Sequence, residues 1–174
     1  MTKDWPAEFR GIYDRGVAAW KAGRKSARAM FGAEDVSFLA TIGCTAQELF
    51  DFVDDAQRYG EPDFATAVAV AAIRRDYFLE VLQGQPTGHT VDMEQLPAKA
   101  AQVDGIAWLP RIIAKARAKL RGEMPPDLMY DCGGDRDFFE RMKMSAPAFL
   151  TLVWESGDDE RRIIDAVKKS AGRP

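Results

Sequence analysis

The residues best suited to chemistry lie in a loop with two adjacent glycines. Tyr130 and Cys132 precede Gly133-Gly134, and Asp135 follows as the predicted N-cap of the next helix. The N-terminus of a helix presents free amides and the positive end of a dipole. This field would favour the thiolate of Cys132, as a nucleophile or redox thiol, or would receive an anion. A semi-buried structural cysteine is the alternative, because the neighbouring aspartates oppose both roles.

Arg75 is the second candidate, because helical spacing places its charge on an apolar face. At about 100° per residue, Arg75 shares a sector with Phe64, Val68 and Leu82. A buried guanidinium needs a negative partner, and its planar fork suits a carboxylate or a phosphate. The sequence therefore predicts an anion site at Arg75, unless an acidic residue of another helix pairs with it. Arg74 is predicted to lie on a different face, where it is solvated or paired locally.

His89 and Arg111 complete the candidate set. His89 is the single histidine, ordinarily titrates near neutral pH and could be carried over Cys132 by a turn-rich connector; a solvated surface residue is the alternative. Arg111 belongs to a helix predicted over 108–121, whose five cations, Lys115 and Lys119 among them, are otherwise predicted to form a solvated face. The net charge of −3 argues against a nucleic-acid partner.

Composition excludes several classes of cofactor and location. One histidine and two cysteines are too few for a Cys/His zinc finger, a four-cysteine iron–sulfur cluster or a multi-histidine centre, and the acidic clusters lack EF-hand spacing. No metal site is predicted, and the sequence names no cofactor. No apolar run approaches the roughly 20 residues of a membrane span. The N-terminal residues resemble neither a signal nor a transit peptide, so a cytoplasmic protein is expected.

The elements that position these residues are predicted to be helices throughout. Apolar residues recur at helical spacing, which indicates an all-α bundle of about eight to ten helices in a single domain, 1–174. Thr45-Ala46-Gln47-Glu48 has the pattern of a capping box. Pro62 is predicted to begin the longest helix, to about Gln83, and Asp92 to cap a short helix through about Ala101.

One sequence pattern occurs twice, at an offset of 100 residues. Phe38-Leu39 and Thr45-Ala46 match Phe138-Phe139 and Ser145-Ala146. This pattern predicts two related halves, 1–84 and 106–174, joined by the connector. Chance similarity between capped amphipathic helices is the alternative.

One stretch of the chain resembles a known family. Its pattern consists of a Leu-Pro-Arg helix start, a Lys-Ala helix that ends in glycine, and then a Tyr, a Cys and an Asp before two aromatics: Leu109-Pro110-Arg111, Lys115-Ala116, Gly122, Tyr130, Cys132, Asp135, Phe138-Phe139. Over residues 106–170 the chain resembles a bacterial family known as domain of unknown function 5069, in which an Asn often stands where this chain has Asp131. The resemblance implies a helical fold and no reaction.

The sequence thus predicts a cytoplasmic protein that recognises a small anionic metabolite or partner through Arg75, the Tyr130–Asp135 loop and His89. Two alternatives remain open. One is a structural or interaction module, most simply a homodimer, with Trp108 or Trp154 in an exposed apolar patch. The other is an enzyme that depends on Cys132 and His89.

Overall fold

The computed structural model describes residues 4–172, and this part of the chain contains nine α-helices and one two-stranded sheet. The predicted all-α class is confirmed. The helices are α1 (Trp5–Lys21), α2 (Ala27–Met30), α3 (Ala33–Thr41), α4 (Ala46–Tyr59), α5 (Phe64–Glu80), α6 (Leu109–Arg121), α7 (Gly133–Met142), α8 (Ala146–Ser156) and α9 (Glu160–Ser170). No single helix in residues 4–172 is long and apolar enough to cross a membrane, although α3 and α4, bent by 104°, pass that test as a pair.

The chain forms two compact units that divide between Gln85 and Pro86. In the first unit α1 packs against α4 and α5, and α2 and α3 also pack against α4. In the second unit α6 packs against α8, and α7 and α9 pack against each other and against α8. The buried aromatic and aliphatic side chains of each unit form its core, including Phe9, Leu39 and Val53 in the first and Ile112, Phe138 and Phe149 in the second.

Local capping signals set the start of α4. The Thr45 hydroxyl accepts a hydrogen bond from the amide of Glu48 at 3.1 Å, and the Glu48 carboxylate accepts one from the amide of Thr45 at 2.8 Å. The predicted capping box is confirmed. The helix ends before Gly60, whose φ of 79° is a left-handed conformation that glycine adopts without strain.

The segment before α6 differs from the prediction of a helix up to Ala101. Asp92 caps only one 3₁₀ turn, Met93–Gln95, after which β1 (Gln102–Val103) pairs antiparallel with β2 (Ile106–Ala107). Asp104 and Gly105 connect the strands with φ of 49° and 73°. An Asp-Gly pair favours this kind of two-residue hairpin turn, and that signal outweighs the weak helical pattern.

The buried stripe of α5 runs through Arg74. Its buried residues recur every three or four positions: Ala67, Val70, Ala71, Arg74 and Phe78. Arg74 is 3% exposed, and its guanidinium lies 5.3 Å from the ring centroid of Phe78. The prediction of a solvated Arg74 is therefore wrong, and Arg75, with 28% of its side chain exposed, lies beside the stripe. Apolar residues occupy most of the circumference of α5, so periodicity alone does not show which face is buried.

Replacing Asp63, the N-cap of α5, with alanine should lower the free energy of unfolding by about 1 kcal/mol, because the amide of Thr66 loses its acceptor at 2.8 Å. Asp63→Asn keeps an acceptor and should match the wild type at neutral pH. Urea denaturation of both variants measures the difference.

A comparison of the wild type with Asp63→Asn tests the charge of this cap. Hydrogen bonds from the amide and hydroxyl of Thr66 lower the pKa of Asp63. Asp63 therefore stabilises the fold above its unfolded pKa, and this contribution is lost as pH falls through the folded pKa. The asparagine variant should become more stable than the wild type at acidic pH. If the free energies of unfolding of the wild type and Asp63→Asn differed by the same amount at neutral and acidic pH, the charge of Asp63 would not contribute to the cap.

Candidate functional site

A buried ion pair between Lys115 and Asp135 organises the second unit. Lys115 on α6 is 2% exposed, and Asp135 on α7 is fully buried. The ammonium of Lys115 donates to Oδ2 of Asp135, and it donates to Sγ of Cys132 at 3.3 Å. The prediction of a solvated cationic face is wrong for Lys115 and for Lys119, which is 3% exposed. The reason is that α8 packs against α6 and the loop before α7 covers Lys115.

The carboxylate of Asp135 accepts four hydrogen bonds within residues 4–172, one on Oδ1 and three on Oδ2. Oδ1 accepts from Nε1 of Trp108 at 2.9 Å, and Oδ2 accepts from the amides of Asp131 and Cys132 at 2.9 and 3.3 Å. The prediction of Asp135 as the N-cap is wrong: Cys132 is the N-cap, and Asp135 is the third residue of α7, which reaches back to the cap amide. A buried carboxylate with this many donors has its hydrogen-bonding capacity satisfied.

The indole ring of Trp108 packs directly on Gly134 and leaves no space for a side chain there. A Cβ on Gly134 would lie 2.7 Å from two ring carbons of Trp108, whereas a Cβ on Gly133 would meet nothing closer than 3.8 Å. Trp108 itself has a φ of 74°, which turns the chain from β2 into α6. Gly134 therefore makes room for a packed aromatic ring at the start of α7.

Gly134→Ala should lower the free energy of unfolding by about 1–3 kcal/mol, since either the ring or the helix start must shift. Gly133→Ala is the matched control and should stay within about 1 kcal/mol of the wild type, because its side chain enters open space. Urea denaturation midpoints measure both. Equal losses in the two variants would count against the packing of Trp108 on Gly134.

Tyr130 belongs to the same loop, two residues before Cys132. It is 1% exposed, and its hydroxyl donates to the carbonyl of Ala146 at 2.8 Å. Burial raises the pKa of Tyr130 well above its usual value, and the carboxylates of Asp135 and Asp131 add to this shift. The hydroxyl therefore stays protonated and ties the loop to the start of α8.

The remaining candidates of the second unit have different surroundings. Cys132 is partly exposed. His89 is exposed, and its imidazole makes no hydrogen bond within residues 4–172. Arg111 donates to the carbonyl of Pro97 at 2.8 Å and lies 6.0 Å from the ring centroid of Trp108. The structure thus brings Cys132 and Asp135 together at Lys115, which the sequence analysis predicted to be solvated.

The first unit contains a cleft of about 940 Å³. Its lining comes from α1, α3, the residue after α3, and α5: Trp5, Glu8, Arg15, Ala33, Glu34, Asp35, Ser37, Phe38, Thr41, Ile42 and Arg75. Arg15 donates to Asp35 across the cleft at 2.5 Å. Arg75 donates through Nη1 to Asp76 at 2.9 Å and faces the ring of Trp5 at 5.4 Å. The other two nitrogens of Arg75 make no hydrogen bond within residues 4–172.

The ion pairs of the two units stand at equivalent sequence positions. Arg15 and Asp35 lie 100 residues before Lys115 and Asp135. Asp35 is also the third residue of its helix and accepts from the N-cap amide, that of Gly32, at 3.2 Å. The pairing of a cation on one helix with this aspartate therefore occurs in both units.

The surroundings of the two pairs differ. The positions that correspond to Trp108 and Gly134 hold Glu8 and Glu34, and both of these carboxylates line the cleft. In the second unit an indole ring packs on glycine and covers the pair. The first unit leaves its pair at the wall of an open cleft.

Residues 94–174 match the family model of a domain of unknown function, DUF5069. The predicted resemblance to this family is confirmed. The DUF5069 match includes α6 to α9 with the buried ion pair, and the first unit lies outside it. No curated protein and no solved structure matches the chain.

Lys115→Met should lower the free energy of unfolding by about 3–5 kcal/mol, because it leaves the buried carboxylate of Asp135 without its cation. Adding Asp135→Asn removes that charge and keeps an oxygen for Trp108, so the double variant should regain much of the loss. A double-variant cycle in urea measures the coupling. Additive losses would refute a mutually dependent pair.

Proposed function

We propose that the first unit binds a small anionic metabolite in the cleft beside Arg75. The observation that carries this proposal is a half-buried guanidinium with two nitrogens that make no hydrogen bond within residues 4–172, at the wall of a cleft of about 940 Å³. Small-molecule sites commonly occupy about 300–1,000 Å³. The cleft is therefore large enough for a metabolite.

The partners of Arg75 leave it able to receive an anion. Its ion pair with Asp76 is local, and the aspartate side chain is 47% exposed. Such an exposed pair contributes only about 0–1 kcal/mol. A carboxylate or phosphate would bind through two parallel hydrogen bonds, while the ring of Trp5 supports the guanidinium from the side.

The rest of the lining narrows the class of ligand. Three carboxylates, Glu8, Glu34 and Asp35, would repel a molecule with several negative charges, and Arg15 is already engaged by Asp35. The same carboxylates, with the hydroxyls of Ser37 and Thr41, favour groups that donate hydrogen bonds. The best match is a molecule with one anionic group and one ammonium group, such as an α-amino acid.

Titration with the L-α-amino acids, followed by ¹H–¹⁵N NMR, tests this proposal. A binding amino acid should shift the side-chain signals of Trp5 and Arg75, and the amine that lacks its carboxylate should not. Arg75→Gln should weaken binding by about tenfold or more, since it removes charge-assisted hydrogen bonds.

Arg10→Gln is the control for the loss of one positive charge. Arg10 also pairs with an aspartate of its own helix, Asp14 at 3.0 Å, and it does not line the cleft. This variant should bind as the wild type does. Equal weakening by both variants, or shifts that avoid the cleft, would refute a site at Arg75.

The alternatives predicted from the sequence receive unequal support. Trp108 and Trp154 are half-buried, and neither is among the exposed large apolar side chains, so the homodimer stays a prediction. Cys132 does meet a cation within hydrogen-bond reach, but that cation is Lys115, and His89 makes no hydrogen bond to it. This contact places a cation beside the thiol and indicates no substrate.

A further inference from the structure

The contact between Lys115 and Cys132 joins an amine and a thiol that can react with each other. Nζ of Lys115 lies 3.3 Å from Sγ of Cys132. We propose that these two side chains form a reversible covalent cross-link, a sulfenamide, when Cys132 is oxidised by hydrogen peroxide. The site lies in the DUF5069 region and is independent of the cleft proposed above.

The first step makes the thiol electrophilic. Cys132 is partly exposed, and hydrogen peroxide is small enough to enter a partly open site. The ammonium of Lys115 lies 3.3 Å from Sγ and can donate a hydrogen bond to it. The thiolate attacks one peroxide oxygen, an S–O bond forms, the O–O bond breaks, and hydroxide leaves and is protonated to water. Sulfur is oxidised to the sulfenic acid, and the peroxide is reduced.

The second step joins the two side chains without a further oxidant. The ammonium of Lys115 passes a proton to the carboxylate of Asp135, which already accepts a hydrogen bond from it. The amine nitrogen then attacks the sulfur, an S–N bond forms, and the S–O bond breaks. The departing hydroxide takes the second proton of nitrogen and leaves as water. The product is Cys132–S–NH–Lys115, and a dithiol reductant restores both side chains.

Burial and orientation favour this amine over competing nucleophiles. Lys115 is 2% exposed, and its hydrogen bond to Asp135 holds Nζ beside the sulfur. Sulfenic acids condense with nitrogen nucleophiles within reach, including backbone nitrogen. The lysine nitrogen is at contact distance before oxidation, so little chain movement is needed to bring the atoms together.

Peptide mass spectrometry of the peroxide-treated wild-type protein tests the cross-link. Trypsin normally cleaves after Lys115, and the modified lysine should block that cleavage. The expected product joins Ile112–Arg117 to Gly122–Arg136, with a mass lower by two hydrogen atoms than the sum of the two peptides. Fragment spectra should locate the bond at Lys115 and Cys132, and dithiothreitol should separate the peptides.

Two controls establish which atoms react. Cys132→Ser should abolish the product, while Cys44, which is 7% exposed, serves as an internal thiol that should react more slowly with peroxide. The Lys115→Met/Asp135→Asn variant should stop at sulfenic acid, which dimedone traps. Should that variant fail to fold, the wild-type product alone decides the proposal.

Three results would overturn the proposal. The first is sulfenic acid or a higher oxide at Cys132 with Lys115 still cleaved normally. The second is a loss of two hydrogens within Gly122–Arg136 alone, which would assign the bond to backbone nitrogen. The third is a cross-link heavier by one oxygen whose fragments place that oxygen between nitrogen and sulfur, because an N–O–S bridge contains no direct S–N bond.

Discussion

The buried charge of Asp135 is the constraint on which the second unit depends. Moving a carboxylate out of water costs several kcal/mol, and only a surrounding set of donors offsets that cost. Those donors come from three different places: Lys115 on α6, Trp108 at the end of the hairpin, and the amides of the loop before α7. The loop, the hairpin and α6 must therefore meet at one point. Both the left-handed conformation of Trp108 and the bare backbone of Gly134 follow from this requirement.

Signals that act within a few residues made much of the fold predictable. The capping box at Thr45 and the glycine at the end of α6 set their helix ends without help from distant parts of the chain. The burial of Arg74 was not predictable in this way, because α5 is apolar around most of its surface and its neighbours choose the buried side. The burial of Lys115 was missed for a related reason: its partner lies 20 residues further along the chain. The offset that relates Phe38 to Phe138 also relates Asp35 to Asp135 and would have been a usable signal.

The two units contain one arrangement of charge in different surroundings. In the second unit the lysine and aspartate are sealed from water, so the pair acts as a fixed point of the structure and presents its amine to a cysteine. In the first unit the arginine of the pair remains 55% exposed, and the cleft beside it also exposes part of Arg75. Where the second unit has an aromatic ring over its pair, the first unit has two carboxylates, Glu8 and Glu34, in the wall of the cleft.

The family model matches residues 94–174 and leaves the first unit unmatched. What is learned about the family therefore applies to the second unit. A tandem duplication followed by divergence would account for two ion pairs 100 residues apart in sequence. After a duplication, one copy can acquire a different function while the other copy keeps the original structure. A homologous protein that consists only of the second unit would lack the first unit altogether. A biochemical role discovered in a short relative would then describe half of this chain and leave the role of the other half to be determined separately.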